Sequence, residues 1–198
     1  MSVILASQSP RRRELLAQMG ITDFIIRPAQ GEEVAAPGLT PGLLVEALSA
    51  QKAEEIAAGA GSDDLIIAAD TVVALEDRVL GKPADAERAF EMLSALSGRS
   101  HTVYTGVTVR RGDRTVTRHA ATKVQFRVLS PEEIRAYIAT GEPMDKAGAY
   151  GIQGLGALFI EGIRGDYNNV VGLPICLLGE ILRSSFGIDP LTASVRKE

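Results

Sequence analysis

A predicted helix start near the beginning of the chain has the residue types of an anion-binding site. Ser9 suits the N-cap position and Pro10 the first helical position. Arg11, Arg12 and Arg13 follow, although the helix dipole already places partial positive charge at this end. An anion held by backbone N–H groups, serine hydroxyls and arginines would stabilise such a turn, and a solvated basic turn is the alternative interpretation.

A second predicted helix start shows the conventional pattern in the same chain. Ser130 and Pro131 repeat the Ser-Pro pair, but Glu132 and Glu133 follow, which predicts an acidic first turn and a capping box. The basic turn after Ser9 therefore departs from a pattern that this chain uses elsewhere.

A carboxylate interrupts a strongly apolar segment in the first half of the chain. Leu65 to Ala69 is a continuous apolar run, typical of a central strand buried on both faces. Asp70 and Thr71 follow, and the apolar run then resumes. Because a buried carboxylate needs a partner, a metal or a shifted pKa, we interpret Asp70 as functional. The alternative is a capping or turn aspartate at a strand end.

A lysine lies on the apolar face of the helix predicted from Thr40 to about Ala58. The residues that share this face, four positions apart, are Leu44, Leu48, Lys52 and Ile56. The Lys52 ammonium either reaches solvent along that face or points into a cleft beside the core.

Two further lysines lie in segments rich in glycine and proline. Lys82 precedes Pro83, and the segment is not a P-loop, because Pro83 stands where that motif needs Ser or Thr. Lys146 and Gln153 lie in the glycine-rich stretch 141–156, where glycine permits close backbone approach to a ligand. We expect this stretch to be ordered, because apolar and aromatic residues alternate with its glycines.

Composition narrows the class of protein. The chain has 198 residues, 45% of them hydrophobic, which fits one domain or two tightly joined lobes. Its net charge of −4 argues against nucleic acid or an anionic membrane as the main partner. The single cysteine, Cys176, excludes an internal disulfide, fits a reducing cytoplasm and is predicted to be buried. We expect no signal peptide and no transmembrane helix, and His101 and His119 have no ligand spacing.

The order of predicted elements indicates an α/β fold with a mixed sheet. Strands and helices alternate at first, and long antiparallel strands then occupy 102–110 and 114–128. The last strand is predicted at 158–160, a polar turn at 166–169 and a final helix at 174–186, with a mobile tail from about 189. Asp70 would be surrounded by the cations Arg12, Lys52, Lys82 and Lys146. That arrangement suits a polyphosphate together with a hydrolytic base or a metal.

The motifs together resemble the Maf family of nucleotide pyrophosphatases. The matching segments run in order along nearly the whole chain: Leu5–Arg12, Ala69–Val73, Gly81–Pro83, Ser97–Gly98, Val103–Val107, Asp145–Gly154 and Val170–Pro174. The resemblance implies an inosine-triphosphatase-like (Maf/Ham1) fold, with flanking helices and two lobes around a cleft, as one domain over residues 1–198. It also implies a homodimer that hydrolyses a nucleoside triphosphate to the monophosphate and pyrophosphate with a divalent metal.

Residue roles follow from the resemblance. Arg12, Thr71 and Gln153 match the subgroup that acts on dTTP and UTP, and modified pyrimidine triphosphates are further candidate substrates. The implied catalytic residues are Asp70, Lys52 and Lys82. The implied substrate-binding residues are Ser7, Ser9, Arg12, Arg13, Thr71, Lys146 and Gln153. The implied ligands of Mg²⁺ or Mn²⁺ are Glu33 and Asp70.

Three questions stay open at the level of sequence. Asp70 could be the general base or mainly a metal ligand. The chain could instead be a non-catalytic nucleotide-binding regulator of cell division and septum formation, which would need the cations but not Asp70 in a buried strand. A phosphatase that releases orthophosphate is the third possibility.

Overall fold

A mixed β-sheet with helices packed against it forms the framework of the protein. The computed structural model describes residues 1–76 and 78–195. Within these residues the strands are β1 (Val3–Leu5), β2 (Ile25–Ile26), β3 (Leu65–Leu75), β4 (Arg78–Leu80), β5 (Ser100–Arg111), β6 (Arg114–Phe126) and β7 (Ile160–Arg164). The α-helices are α1 (Pro10–Gln18), α2 (Pro41–Ala57), α3 (Ala86–Leu96), α4 (Pro131–Ala139), α5 (Tyr167–Val171), α6 (Ile175–Phe186) and α7 (Pro190–Val195). The predicted α/β fold with a mixed sheet is confirmed.

The sheet is organised around β3. The strand order is β2-β1-β3-β5-β6-β7, and β4 pairs with β3 as well. β1 runs parallel to β2 and to β3, whereas the remaining pairs are antiparallel. The apolar run of β3 suits this central place, because helices and loops cover both of its faces. The long β5–β6 hairpin is closed at Gly112, whose φ of 55° favours glycine.

Helix α2 lies directly on the sheet over β3 and β5. Ala53 and Ile56 of α2 pack against Ile66 and Ala68 of β3. The helix backbone approaches β5 so closely that a Cβ atom on Gly106 would lie 2.2 Å from the carbonyl oxygen of Val45. This close packing brings the middle of α2 next to the middle of β3.

The core has two large apolar clusters that share the central strands. One packs the first half of β3, including Ile67 and Ala69, against α1 and α6. The other packs Val73 and Leu75, in the second half of β3, against α3 and α4. Asp70 and Thr71 lie on β3 between the two clusters. β3 therefore carries a carboxylate between two apolar regions of the core. The two-lobed architecture around a cleft stays a prediction.

Two element predictions near the end of the chain are wrong. Residues 158–160 were expected to form a strand, but a 3₁₀-helix spans Leu155–Phe159 and β7 begins only at Ile160. Residues 166–169 were expected to form a turn, but Asp166 caps the short helix α5 by accepting from the backbone N–H of Asn168. Both segments are short, so tertiary packing outweighs local propensity.

The predicted burial of Cys176 is also wrong, because its side chain is exposed. Helix α6 buries Leu178, Ile181 and Leu182 on one face, and Cys176 lies out of phase with that face. After α6 the chain forms α7, and residues 196–198 lie outside the described residues. Mobility of the tail stays a prediction. In the described part of the chain, no helix combines the length and apolar character needed to cross a bilayer.

Candidate functional site

The Asp70 carboxylate is buried and paired with a lysine. Its side chain is 11% exposed, and Lys52 Nζ donates to Asp70 Oδ1 at 2.5 Å. The same ammonium lies 2.8 Å from Oε1 of Glu33, a loop residue whose side chain is 55% exposed. The Lys52 ammonium therefore bridges the two carboxylates predicted to bind metal.

Strand alternation separates Asp70 from its neighbour Thr71. Ile66, Ala68 and Asp70 point to the face covered by α2, where Lys52 lies. Thr71 points to the opposite face, where its Oγ1 accepts from Arg12 at 3.0 Å. The consecutive residues Asp70 and Thr71 thus connect α2 on one face with α1 on the other.

Three short contacts fix Arg12. Its guanidinium donates to the Gly172 carbonyl oxygen at 2.8 Å, to Ser7 Oγ at 3.2 Å and to Thr71 Oγ1 at 3.0 Å. A guanidinium has five N–H donors, so two remain for a ligand. Burial lowers the pKa of Arg12, while the charge of Asp70 acts in the opposite direction.

The start of α1 leaves its polar groups available. Ser9 is the N-cap residue, as predicted, but its side chain makes no capping hydrogen bond. Its backbone N–H instead donates to Ser7 Oγ at 3.2 Å. Helix α4, which also begins with Ser-Pro, differs as expected, because Ser130 and Glu133 form a complete capping box. Within the described residues the Ser9 hydroxyl has no hydrogen-bond partner, and together with the uncapped first turn it supports the anion-site interpretation.

The other two arginines of α1 face different neighbours. Arg13 donates to the Gln8 carbonyl oxygen at 2.8 Å, and its buried Nε has no partner in the described structure. Arg11 lies 4.0 Å from Asp145, which joins α1 to the glycine-rich stretch. Asp145 also accepts from Lys146 Nζ at 2.6 Å.

Several predicted site residues are not in contact with Asp70. Lys82 is exposed, with no hydrogen bond or ion pair within the described residues. Lys146 is held within its own loop by Asp145 and by the Glu142 carbonyl oxygen. Gln153 is exposed on a turn and likewise makes no hydrogen bond to any described residue. The structure thus joins Asp70 directly to Lys52, and places Arg12, Thr71 and Ser7 together on the other face.

The two histidines are structural or exposed, as expected. His101 is buried against Phe126 and Tyr150, and its Nε2 lies 2.7 Å from the Tyr150 hydroxyl. Burial lowers the pKa of His101 to about 4. His119 lies at the surface beside Glu46.

The oxygens of Glu33 and Asp70 suit a hard divalent cation. Mg²⁺ typically binds proteins through one or two carboxylates and completes its coordination with water and substrate phosphates. Both carboxylates already share the positive charge of Lys52. Because the described residues contain no group of three or more His, Cys, Asp or Glu able to hold a metal, a cation here would need phosphate oxygens as further ligands.

Comparison with known proteins identifies the family. A sequence model described as Maf-like protein matches residues 2–185. The chain belongs to the Maf family. This membership confirms the resemblance seen in the motifs around Arg12, Asp70 and Gln153.

Close relatives of this Maf chain carry one name. A protein of Moorella thermoacetica is 55% identical over 190 residues, covering 94% of this chain and 96% of the relative. A protein of Pelotomaculum thermopropionicum is 51% identical over 191 residues, covering 96% and 98%. Both are named dTTP/UTP pyrophosphatase.

Solved structures with some similarity include a Ham1 protein and a pyrophosphatase. The Staphylococcus aureus Ham1 protein matches with a TM-score of 0.45 and 17% identity, over 64% of this chain and 72% of that one. A dITP/XTP pyrophosphatase of Mycobacterium abscessus matches with a TM-score of 0.41 and 14% identity, over 71% and 95%.

Sequence reasoning missed two kinds of residue in this Maf site. The Gly172 carbonyl oxygen that holds Arg12 gives no side-chain signal in the sequence. Glu142 accepts hydrogen bonds from Tyr137, Leu155 and Gly156, and so holds the glycine-rich stretch together. A carboxylate inside a glycine-rich segment was the available signal for Glu142.

Proposed function

We propose that this Maf protein hydrolyses dTTP and UTP to the nucleoside monophosphate and pyrophosphate. The observation that carries the proposal is the buried Asp70 carboxylate paired with Lys52, next in sequence to Thr71, which accepts from Arg12. The names of relatives at 55% and 51% identity over most of the chain support the same activity.

Asp70 can act as the general base in this reaction. Its Oδ1 is held by Lys52, whereas Oδ2 has no partner in the described structure and is free to accept a proton from water. The water oxygen would bond to the α-phosphorus, the α–β anhydride bond would break, and pyrophosphate would leave with its electron pair. Binding at Ser9, Arg12, Arg13 and Lys82 would neutralise the phosphate oxygens as charge shifts to the leaving group.

Lys52 would orient the base and complement the phosphate charge. Glu33 and Asp70 would hold a divalent cation, Mg²⁺ or Mn²⁺, in part. When bound, that cation supplies further neutralisation of the triphosphate. Asp70 would then be a base, a metal ligand or both, depending on which oxygen faces the cation.

Base recognition would fall to Gln153, while Thr71 and Arg12 would limit the shape of the pocket. The Gln153 amide carries one acceptor and one donor group, which matches the N3–H and an adjacent carbonyl of thymine or uracil. Lys146 would bind substrate from the same glycine-rich stretch, where Arg11 and Asp145 already connect it to α1.

Product identity tests the proposal. Purified protein would be incubated with dTTP and Mg²⁺, and pyrophosphate and orthophosphate would be measured separately, with Asp70→Asn as the control. Pyrophosphate from the wild type supports the proposal, and orthophosphate indicates a phosphatase. Nucleotide binding without either product indicates the regulator of cell division.

The same proposal includes a homodimeric assembly and a cytoplasmic location. The family resemblance implies a homodimer, and the single cysteine fits a reducing cytoplasm. The net charge of −4 favours a small-molecule substrate over nucleic acid or an anionic membrane. Light scattering after size-exclusion chromatography would measure the assembly.

A further inference from the structure

The turn that carries Gln153 is not held by the Gln153 side chain. Gln153 is exposed and makes no side-chain hydrogen bond to the described residues. Its neighbour Ile152 packs against the cluster that contains Leu15 and Leu16 of α1. This packing anchors the turn to a cluster to which α1 also contributes, so whatever fixes the turn also fixes Gln153 relative to that cluster.

One carboxylate binds the far side of this turn. Glu142 Oε2 accepts from the backbone N–H of Leu155 at 2.9 Å, and Oε1 accepts from that of Gly156 at 3.2 Å. Burial opposes ionisation of Glu142, but the hydrogen bonds from Tyr137, Leu155 and Gly156 lower its pKa overall, so the carboxylate stays ionised. A charged acceptor makes stronger hydrogen bonds than a neutral one.

A buried tyrosine binds the near side of the same turn. The Tyr137 hydroxyl donates to Glu142 Oε1 at 2.7 Å and accepts from the backbone N–H of Gly151 at 3.2 Å. Burial and the adjacent Glu142 raise the pKa of Tyr137, so the hydroxyl keeps its proton. Tyr137 and Glu142 therefore hold residues 151 and 155–156, on either side of Gln153.

The glycines of the turn make this close approach possible. A Cβ atom on Gly154 would lie 2.4 Å from Glu142 Oε1, and one on Gly156 would lie 2.8 Å from the Tyr137 hydroxyl oxygen. Any side chain at either position would push the turn away from the pair. The turn thus lies directly on the Tyr137–Glu142 pair.

We propose that Tyr137 and Glu142 are positioning residues that set base selectivity by holding the Gln153 turn. The inference rests on the proposed pyrimidine triphosphate pyrophosphatase activity. Neither residue lies with Asp70 and Lys52, so their effect is on recognition of the base rather than on the chemical step.

Tyr137→Phe and Glu142→Gln test this proposal through substrate discrimination. Both variants leave a backbone N–H of the turn without its proper acceptor, and such a mismatch corresponds to roughly 5- to 150-fold in affinity. We expect kcat/KM for dTTP and UTP to fall within that range, mainly through KM. We expect kcat/KM for dATP, measured at the same pH and Mg²⁺ concentration, to change little.

A double-mutant cycle separates positioning from general stability. If Tyr137 acts through Gln153, Tyr137→Phe adds little loss for dTTP in a Gln153→Ala background. Additive losses, or equal losses for dTTP and dATP, would overturn the proposal. If Glu142→Gln does not fold, Tyr137→Phe alone still decides, because it removes one hydroxyl and keeps the ring packed.

Glu133→Gln is the matched control. Glu133 lies on the same helix as Tyr137, and its carboxylate also accepts from a backbone N–H, that of Ser130, and from Arg127. We expect this variant to lower the melting temperature without changing the ratio of dTTP to dATP turnover. A changed ratio would assign the effect to the helix rather than to the turn.

A wild type that releases no pyrophosphate refutes the proposed function itself, whereas an active wild type with an unchanged ratio in Tyr137→Phe refutes only this inference.

Discussion

At the scale of single residues, one Asp70 oxygen is bound by Lys52 and the other has no partner among the described residues. Lys52 donates to Oδ1 at 2.5 Å, and strand β3 fixes the backbone. Orienting Oδ2 towards a water molecule therefore costs little conformational entropy. A fixed, buried carboxylate is well suited to proton abstraction because it needs no reorganisation when the reaction occurs.

Replacing Asp70 by Asn should affect turnover more than binding. The amide keeps the shape of the side chain but cannot take a proton from water. We expect kcat to fall by roughly 10²- to 10⁴-fold, the usual scale of general acid–base catalysis. Steady-state kinetics and dTTP binding would be measured together, and loss of binding with unchanged residual turnover would contradict the role of base.

The pair of Lys52 and Asp70 should be visible in stability as well as in activity. Lys52→Met leaves the Asp70 carboxylate without its cation, which we expect to lower the free energy of unfolding by about 1–3 kcal/mol. In an Asp70→Asn background the same change should cost less, because a neutral amide needs no cation. Urea unfolding of the four proteins measures this, and equal costs in both backgrounds would argue against the pair.

At the scale of elements, two helices that begin with Ser-Pro serve different purposes. Helix α4 closes its N-terminus with the capping box of Ser130 and Glu133. In helix α1 the Ser9 side chain makes no capping hydrogen bond, so it does not cap the N–H groups of the first turn. Arg12, in that turn, donates to Thr71 and to the Gly172 carbonyl oxygen. Helix α1 therefore lacks the stabilisation of a side-chain cap at the end where the proposed triphosphate would bind.

The two caps give a matched pair of serine substitutions. Ser130→Ala removes a capping hydrogen bond and should lower the free energy of unfolding by about 1 kcal/mol while leaving turnover unchanged. Ser9→Ala removes no such bond, so we expect little loss of stability but a lower kcat/KM for dTTP. Thermal unfolding and steady-state kinetics on both variants check this. The opposite assignment of the two losses would mean that Ser9 is an ordinary cap.

At the scale of the whole molecule, β3 joins two apolar clusters and carries the proposed catalytic residue at their junction. The cluster around Phe126 also contains His101, whose pKa burial lowers to about 4. The ordinary value is 6.5, so the unfolded chain binds a proton that the folded chain does not between these pH values. Stability from this histidine is therefore present above pH 6.5 and lost as the pH falls towards 4.

His101→Gln should remove that part of the pH dependence. The full effect corresponds to about 3 kcal/mol in the free energy of unfolding over this range, at 1.36 kcal/mol per pKa unit. The difference between wild type and variant, measured by urea unfolding from pH 7 to 4.5, should shrink as the pH falls. His119→Gln, at an exposed position, should keep the wild-type dependence, and a constant difference for His101→Gln would contradict the lowered pKa.

The sequence predicted most of the framework because those elements have strong local signals. Helices α2 and α4, strand β3 and the β5–β6 hairpin follow from periodicity, capping residues and long apolar runs. The errors fall on short segments, at 158–160 and 166–169, and on Cys176. In such segments a few tertiary contacts outweigh intrinsic propensity.

By itself the sequence determined the family, the fold class and the selection of Asp70 as a functional residue. A carboxylate within an apolar strand and a basic helix start can both be recognised from neighbouring residues in the sequence. Only the tertiary structure decided which partners these residues have. It places Lys52 on one face of β3 and Arg12 on the other, because consecutive strand residues point to opposite faces. It also joins Glu142 and Tyr137 to the Gln153 turn through backbone N–H groups, which every residue except proline carries and which therefore leave no mark in the sequence.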